Sequence, residues 1–417
     1  MVSEPLRAEV VQTHPGVDEG PSPAPAAPRL ESVDVVRGLA MVLMALDHVR
    51  YFVTDRQYSP ENLLPTTVPL FFTRWVTHFC APAFFLLAGQ GQCSPGSRGG
   101  PPGRGGGSSG SGGLFLVALE LTVVGFSWQF TPGDSFAGVI WCLGISMLLL
   151  AGAICVATPA TIAWSGVAMI CLHDLLDGIR GAQLGKAGWL WFLLHQSGDA
   201  HLGPLDWFVL FPLVPWVGVM AAGYGLGLLY RPGWEPARLR WLWRLGAAAL
   251  ALFVVLRVAH LYGNPVALGS GGAREPFAPQ GSVGMTLVSL LDVEKYPPSL
   301  QYLLMTLGLV LLALAAAERW HPRWSQPLVV FGRVPLFFYV AHLYLIHLLA
   351  LVLAIATGQP WQWLGWGGQP IESRAGYGHG LPVVYFLWIG VTAALYPACR
   401  WYLRFKATHR SPWLRLL

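Results

Sequence analysis

Charge is scarce in this chain. Asp, Glu, Lys and Arg make up 11% of its 417 residues, against roughly 25% in soluble domains. With 54% hydrophobic residues and a positive mean hydropathy, that scarcity excludes an ordinary soluble enzyme. Cysteine is sparse too. Cys80, Cys93, Cys142, Cys155, Cys171 and Cys399 show no CxxC spacing and mostly sit inside apolar runs, so they read as small core residues rather than a zinc site or disulfide framework. There is no P-loop, no HExxH, and no GxGxxG or GxSxG turn between a strand and a helix, so nucleotide hydrolysis and serine-hydrolase chemistry have no support. The net charge of +5 would by itself permit nucleic acid as a partner. The positions of the basic residues read instead as membrane topology.

What is present is a series of apolar spans. They fall at about 34–53, 68–90, 114–130, 136–156, 159–177, 205–230, 241–262, 299–318, 328–356 and 382–403, each long enough to cross a bilayer. The pattern predicts an all-α, polytopic bundle of about ten transmembrane helices with both termini cytoplasmic. In that orientation the inside segments collect fourteen Arg and Lys, and the outside holds only Arg56, Arg180, Lys186, Arg274, Lys295 and Arg374, as the positive-inside rule requires. Residues 1–28, rich in Pro, Ala, Glu and Gly and without a signal-peptide pattern, read as a disordered cytoplasmic tail. Residues 29–410 then form one membrane unit, and 411–417 a second short tail. The Gly, Ser and Pro tract at 91–113 reads as a cytoplasmic linker. Outer loops at about 178–204, 263–298 and 357–381 suit a lid or vestibule.

The stretch Asp34–Arg50, DVVRGLAMVLMALDHVR, carries two acids, two arginines and a histidine inside an apolar span. Each such charge costs a few kcal/mol at depth, so these groups face a protein interior and are paired or functional. Asp34, Arg37, Met41, Met44 and His48 share one helical face, with Arg37 and His48 about 16 Å apart along the axis. Ionisable residues sort into two belts. Asp34, Arg37, Glu120 and Arg333 lie near the cytoplasmic side; Asp47, His48, Arg50, Arg74, His78, Arg257, His260, His342 and His347 lie further out. If 328–356 is one helix, Arg333 stands about 13 Å from His342 and about 21 Å from His347. The helices bearing Arg37 and Arg333 run in the same direction, so their arginines and histidines can meet at matching depths. That suits an anionic ligand whose phosphates meet arginine forks and a proton acceptor further in. Plainer readings exist: Asp34 with Arg37, and Glu120 with Arg333, as ion pairs closing the bundle; His78, His260 and His347 as buried hydrogen bonds; His173, His195 and His201 as solvated or loop-fixing. His48 stands apart, because Asp47 and Arg50 crowd it at one depth.

The opening RLESVDVVRGLAMVLMALDHVRYF resembles the start of bacterial membrane proteins grouped with the catalytic domain of heparan-alpha-glucosaminide N-acetyltransferase. More remotely it is similar to the acyltransferase-3 membrane proteins, whose first helix carries Arg, ten residues, then His, as Arg37 and His48 do. VIWCLGISM at 139–147, PLVPWVGVMAAGYGLG at 212–227, VEKYPPSLQYLLMTLG at 293–308, FGRVPLFFYVAHLYLIHLL at 331–349 and YPACRWY at 396–402 extend the likeness. The resemblance implies a ten-crossing acyltransferase that takes an acetyl group from coenzyme A on the cytoplasmic side. The acceptor would be an amine or hydroxyl of an extracytoplasmic or lipid-linked saccharide. It implies Arg37 and Arg333 at the acetyl-CoA phosphates and His48 as the catalytic base, with Asp47 orienting it. Arg74, His78, Arg257 and His342 are left for the acceptor. No metal is implied, and the expected setting is a bacterial inner membrane, with no nucleic-acid partner and the oligomeric state open. Two departures stand out: the lysosomal enzyme's histidine lies further along, where this chain has Tyr58 or Ser59, and the 91–113 tract replaces an arginine-containing entry to helix three. A transporter or flippase for an anionic small molecule or lipid headgroup would use the same inward-facing groups.

Overall fold

α1 (Glu31–Val53) runs through the middle of the protein, with fifteen of its 23 residues buried. Glu31 and Asp34 in its first turn and Arg50 in its last complement the helix dipole. The structure, a computed structural model, describes residues 31–56, 59–63, 65–93, 106–130, 135–202, 205–264, 276–320, 325–365 and 376–409. The expected tails at 1–28 and 411–417, the centre of the 91–113 tract and Tyr58 lie outside the described residues.

In chain order there follow α2 (Val68–Trp75), a 3-10 turn (Val76–Phe79), α3 (Cys80–Cys93) and α4 (Gly106–Leu119). α4 passes through a π-helical turn (Glu120–Val124) into α5 (Gly125–Gln129), and then come β1 (Ser135–Ala137), α6 (Val139–Val156), α7 (Pro159–Leu172), α8 (Gly188–Leu194), β2 (Gly198–Leu202) and β3 (Leu205–Val209). The chain continues with α9 (Leu213–Leu226), α10 (Glu235–Val258), α11 (Val283–Leu291), α12 (Leu300–Arg319), α13 (Gln326–Arg333), α14 (Pro335–Ala356) and α15 (Leu381–Thr408). Among the described residues nine helical spans are long and apolar enough to cross a membrane. α1 is excluded from that count by its own charges, yet it lies inside the bundle, flanked by α3, α12, α13, α14 and α15. The protein is therefore a polytopic helical membrane protein. The Val68–Cys93 span is 78% buried while that of α15 is only 17%, so the first is core and the second turns residues such as Phe386 and Ile389 outward toward lipid.

Lipid tails are as apolar as leucine, so helices in a bilayer associate through close packing rather than hydrophobic exclusion. Glycines supply that closeness here. A Cβ on Gly38 would lie 1.9 Å from the Leu328 carbonyl oxygen, and one on Gly332 would lie 1.9 Å from that of Asp34, so α1 and α13 touch backbone to backbone. Gly89 with Gly223, Gly113 with Gly144, Gly166 with Gly218 and Gly246 with Gly308 bring α3 to α9, α4 to α6, α7 to α9 and α10 to α12 in the same way.

Four sequence expectations change. The single helix expected over 328–356 breaks at Val334 (φ −130°, ψ 49°), because Pro335 disfavours a helical residue before it and has no N–H to donate. The span expected from 205 starts at Leu213, and the residues before it form β3. β3 pairs with β1 in parallel and β2 antiparallel, a small sheet in an otherwise helical protein. α4 begins at Gly106, inside the tract read as linker, where contact with α6 overrides the poor helix propensity of glycine.

Candidate functional site

A cavity of about 390 Å³ opens beside the second half of α1. Met44, Asp47, His48 and Tyr51 of α1, Arg74 of α2, Thr77 of the 3-10 turn and Tyr339 of α14 line it. Glu120, Trp128, Phe136, Phe208, Lys295, Tyr296, Trp363 and Leu364 complete much of the wall. The small sheet thus contributes Phe136 and Phe208, and two of the expected outer-loop segments contribute Lys295, Tyr296 and Trp363. The wall is aromatic and apolar with a few converging charges, the composition typical of small-molecule sites.

His48 is 9% exposed. Its Nδ1 stands 2.7 Å from Nε2 of His342, and the edges of Trp128 and Tyr339 face its ring at centroid distances of 5.0 and 6.3 Å. His342 is fully buried and does not line the cavity; its Nδ1 meets the Phe338 carbonyl at 2.8 Å. The histidines of α1 and α14 do meet at one depth, but the break at Val334 puts Arg333 on α13, a different helix from His342.

Asp47 was expected to orient His48. Its carboxylate instead takes Nε and Nη2 of Arg50 at 3.2 and 3.0 Å and Nη1 of Arg74. Arg74 donates its Nε to Glu61 at 2.9 Å, and His78 Nε2 approaches the same Glu61 oxygen at 3.4 Å. Arg50, Asp47, Arg74, Glu61 and His78 therefore form one network that starts in the cavity wall, at Asp47, Arg50 and Arg74, and continues behind it to Glu61 and His78. Its rationale is that each charge taken out of water needs a partner. Lys295 is 5% exposed, with its ammonium 5.0 Å from the Tyr296 ring centroid.

The other expected site residues lie elsewhere. Arg37 donates to Asp34 at 3.5 Å and to the Gly332 carbonyl at 3.3 Å, and Arg333 donates to Asp34 at 3.2 Å. The two arginines form a pair around one carboxylate, so the plainer reading holds for Asp34 with Arg37, while Arg333 joins Asp34 rather than Glu120. Neither lines the cavity, whose wall on α1 ends at Met44, about 10 Å short of Arg37 by helical rise. Arg257 is not at the cavity either: it donates to the carbonyls of Ser289 and Asp292 at 2.8 Å each and of Leu290 at 3.2 Å. It thus caps the C-terminus of α11, where a cation is favoured. His347 joins the Ser127 and Leu364 carbonyls. His260 is exposed at φ +53° rather than buried. His173 and His195 are buried, and His195 is held by Asp177 at 2.9 Å. Burial pushes the Asp177 carboxyl above its ordinary value, and His195 pulls it back. The side chain of His201 lies outside the described residues.

Three functional candidates escaped the sequence reading as site residues. Glu61 and Lys295 sit in connecting segments, and only the fold delivers them. Glu120 lines the cavity and accepts from the backbone N–H groups of Ile140 and Trp141 at 3.1 and 3.2 Å, capping α6 from another helix. The lone acid in LFLVALELTVV was its signal. Among the described residues no group of three or more His, Cys, Asp or Glu is arranged to hold a metal ion.

A multi-pass helical bundle with a histidine on the wall of an aromatic cavity defines the class: an integral membrane protein with an internal cavity. The family model described as heparan-alpha-glucosaminide N-acetyltransferase, catalytic, matches residues 29–258, more than half of the chain. The chain belongs to that family, and is a membrane acetyltransferase by class. No curated protein matches it. The match includes Arg37, Asp47, His48, Arg74 and Glu120 and ends before Lys295, Arg333 and His342.

Proposed function

We propose that this protein transfers an acetyl group from cytoplasmic acetyl-CoA to the amine of an extracytoplasmic or lipid-linked saccharide. The observation that carries this reading is the placement of His48 on the wall of the aromatic cavity in a chain of this family. His48 takes a proton from the acceptor nitrogen as that nitrogen attacks the thioester carbonyl. The carbon–sulfur bond then breaks, and the imidazolium returns the proton to the coenzyme A thiolate. Trp128, Tyr296 and Trp363 offer ring faces for a sugar, and Lys295 and Arg74 offer donors. Arg37 and Arg333 take the donor phosphates at the other end of α1, so the pantetheine arm must part the packing around Met41, which is 4% exposed, to bring the thioester to His48.

The test is transfer of radiolabelled acetyl from acetyl-CoA to glucosamine by protein in liposomes. Wild type is expected to acetylate the amine, and His48→Ala to lose roughly 10²–10⁴-fold in rate, the span of a general base. Full activity in the variant, or solute movement without thioester consumption, would overturn the reading.

A further inference from the structure

We infer that His342 is a positioning residue that holds His48 in one tautomer, with Nδ1 protonated and Nε2 bare. This rests on the acetyltransferase reading for its purpose, though not for its geometry. The argument is a count of donors. The Phe338 carbonyl can only accept, so His342 Nδ1, 2.8 Å away, carries the proton. A neutral imidazole has one N–H, so His342 Nε2 is left with a lone pair. That lone pair faces His48 Nδ1 at 2.7 Å, and His48 must therefore donate from Nδ1. Its Nε2 is then the unprotonated nitrogen.

The surroundings make the alternative costly. Were His48 protonated at Nε2, two lone pairs would face each other across a buried contact, or His342 would have to turn a lone pair toward the Phe338 carbonyl. Among the described residues no further donor is hydrogen-bonded to either ring to relieve it, and His342 is fully buried with Phe338 and Tyr339 against its ring. The two imidazole planes lie within 10° of parallel, and Trp128 packs against His48 in a T-shaped contact at 5.0 Å between ring centroids. His48 Nε2 has no hydrogen-bond partner among the described residues and is open to the cavity. The nitrogen that can remove a proton is thus the one a substrate can reach. After it does so, the resulting imidazolium keeps its Nδ1–H bond to His342, now charge-assisted and stronger. The fold selects the base form by a chain that begins at a backbone carbonyl, a role that a carboxylate plays in other histidine-based sites.

Two measurements test this. Nitrogen-15 NMR of histidine-labelled protein, with His48 assigned through loss of its signals in His48→Gln, reads the tautomer without turnover. The expected spectrum shows a protonated Nδ1 and a bare Nε2, and a protonated Nε2 in the neutral ring would overturn the inference. In the second, His342→Phe keeps a flat ring against Phe338 but removes both nitrogens, and His342→Gln keeps an acceptor for the His48 N–H. The Phe variant is expected to lose about 10–100-fold in kcat, a part of the general-base contribution, with KM for acetyl-CoA unchanged, and the Gln variant to recover a large share. A Phe variant as active as wild type, or a Gln variant no better than Phe, would overturn the positioning role. Absence of acetyl transfer in the wild type would remove the proposed function and leave the tautomer to be decided by the spectrum.

Discussion

Asp47→Ala is expected to destabilise the folded protein by roughly 3–5 kcal/mol, the cost of removing one partner from a buried ion pair. The upper end applies because this carboxylate serves two guanidinium groups at once. Arg50 and Arg74 have side chains only 7% and 10% exposed, and both would be left beside Lys295 with one fewer negative charge. Glu61 would still hold Arg74 through Nε, so Arg50 is the more exposed to the loss. Tryptophan-fluorescence melting in detergent reads the effect. The double variant Asp47→Ala, Arg74→Met removes charges of both signs and is expected to recover part of the lost stability. An Asp47→Ala protein that melts like wild type would show that the network contributes no stability. The acetylation rate should fall as well, because Arg50 and Arg74 both line the cavity and would reorient toward it.

How far the site could be read from sequence follows from where each contact originates. α1 was legible because polar residues at steps of three and four in an apolar span leave few explanations, and Arg37 and His48 stood out for that reason. The meeting of His48 with His342 was legible as a matching of depths. It could not be read as a hydrogen bond, because Pro335 breaks the helix between Arg333 and His342 and resets the direction in which His342 points. Asp47 was assigned to His48 on adjacency alone. Neighbouring residues on a helix point about 100° apart, so the carboxylate turns to Arg74, 27 positions away. Arg257 looked like a ligand-binding charge and became a helix cap, since nothing in its own helix announces the C-terminus of α11 packed against it. Glu120 was visible as a buried acid but not as a wall of the cavity, which depends on a π-helical turn. What the sequence carried was the cost of burying each charge, and what it lacked was the partner that offsets the cost.

Gly332→Ala is the second large effect, and it couples stability to the arginine pair proposed to hold the donor. The added Cβ would sit 1.9 Å from the Asp34 carbonyl oxygen and 2.7 Å from its carbon, and a backbone group in the first turn of α1 has no rotamer by which to retreat. α13 must therefore shift away from α1. Overpacking of this kind costs typically 1–3 kcal/mol and more where the obstacle is rigid, so a clear drop in melting temperature is expected. The shift would also lengthen the bond from Arg333 to Asp34 and the bond from Arg37 to the Gly332 carbonyl, now 3.2 and 3.3 Å. If those arginines hold the donor phosphates, KM for acetyl-CoA rises by about 10-fold or more, the loss of one hydrogen bond to a charged group. Gly152→Ala is the matched control, because nothing lies within 4 Å of its added Cβ in the interior of α6. There the substitution should be neutral or stabilise by roughly 0.5–1 kcal/mol through reduced backbone freedom, with donor affinity untouched. Equal behaviour of the two variants would mean that α1 and α13 are not held at backbone contact, and the arginine pair would lose its structural support.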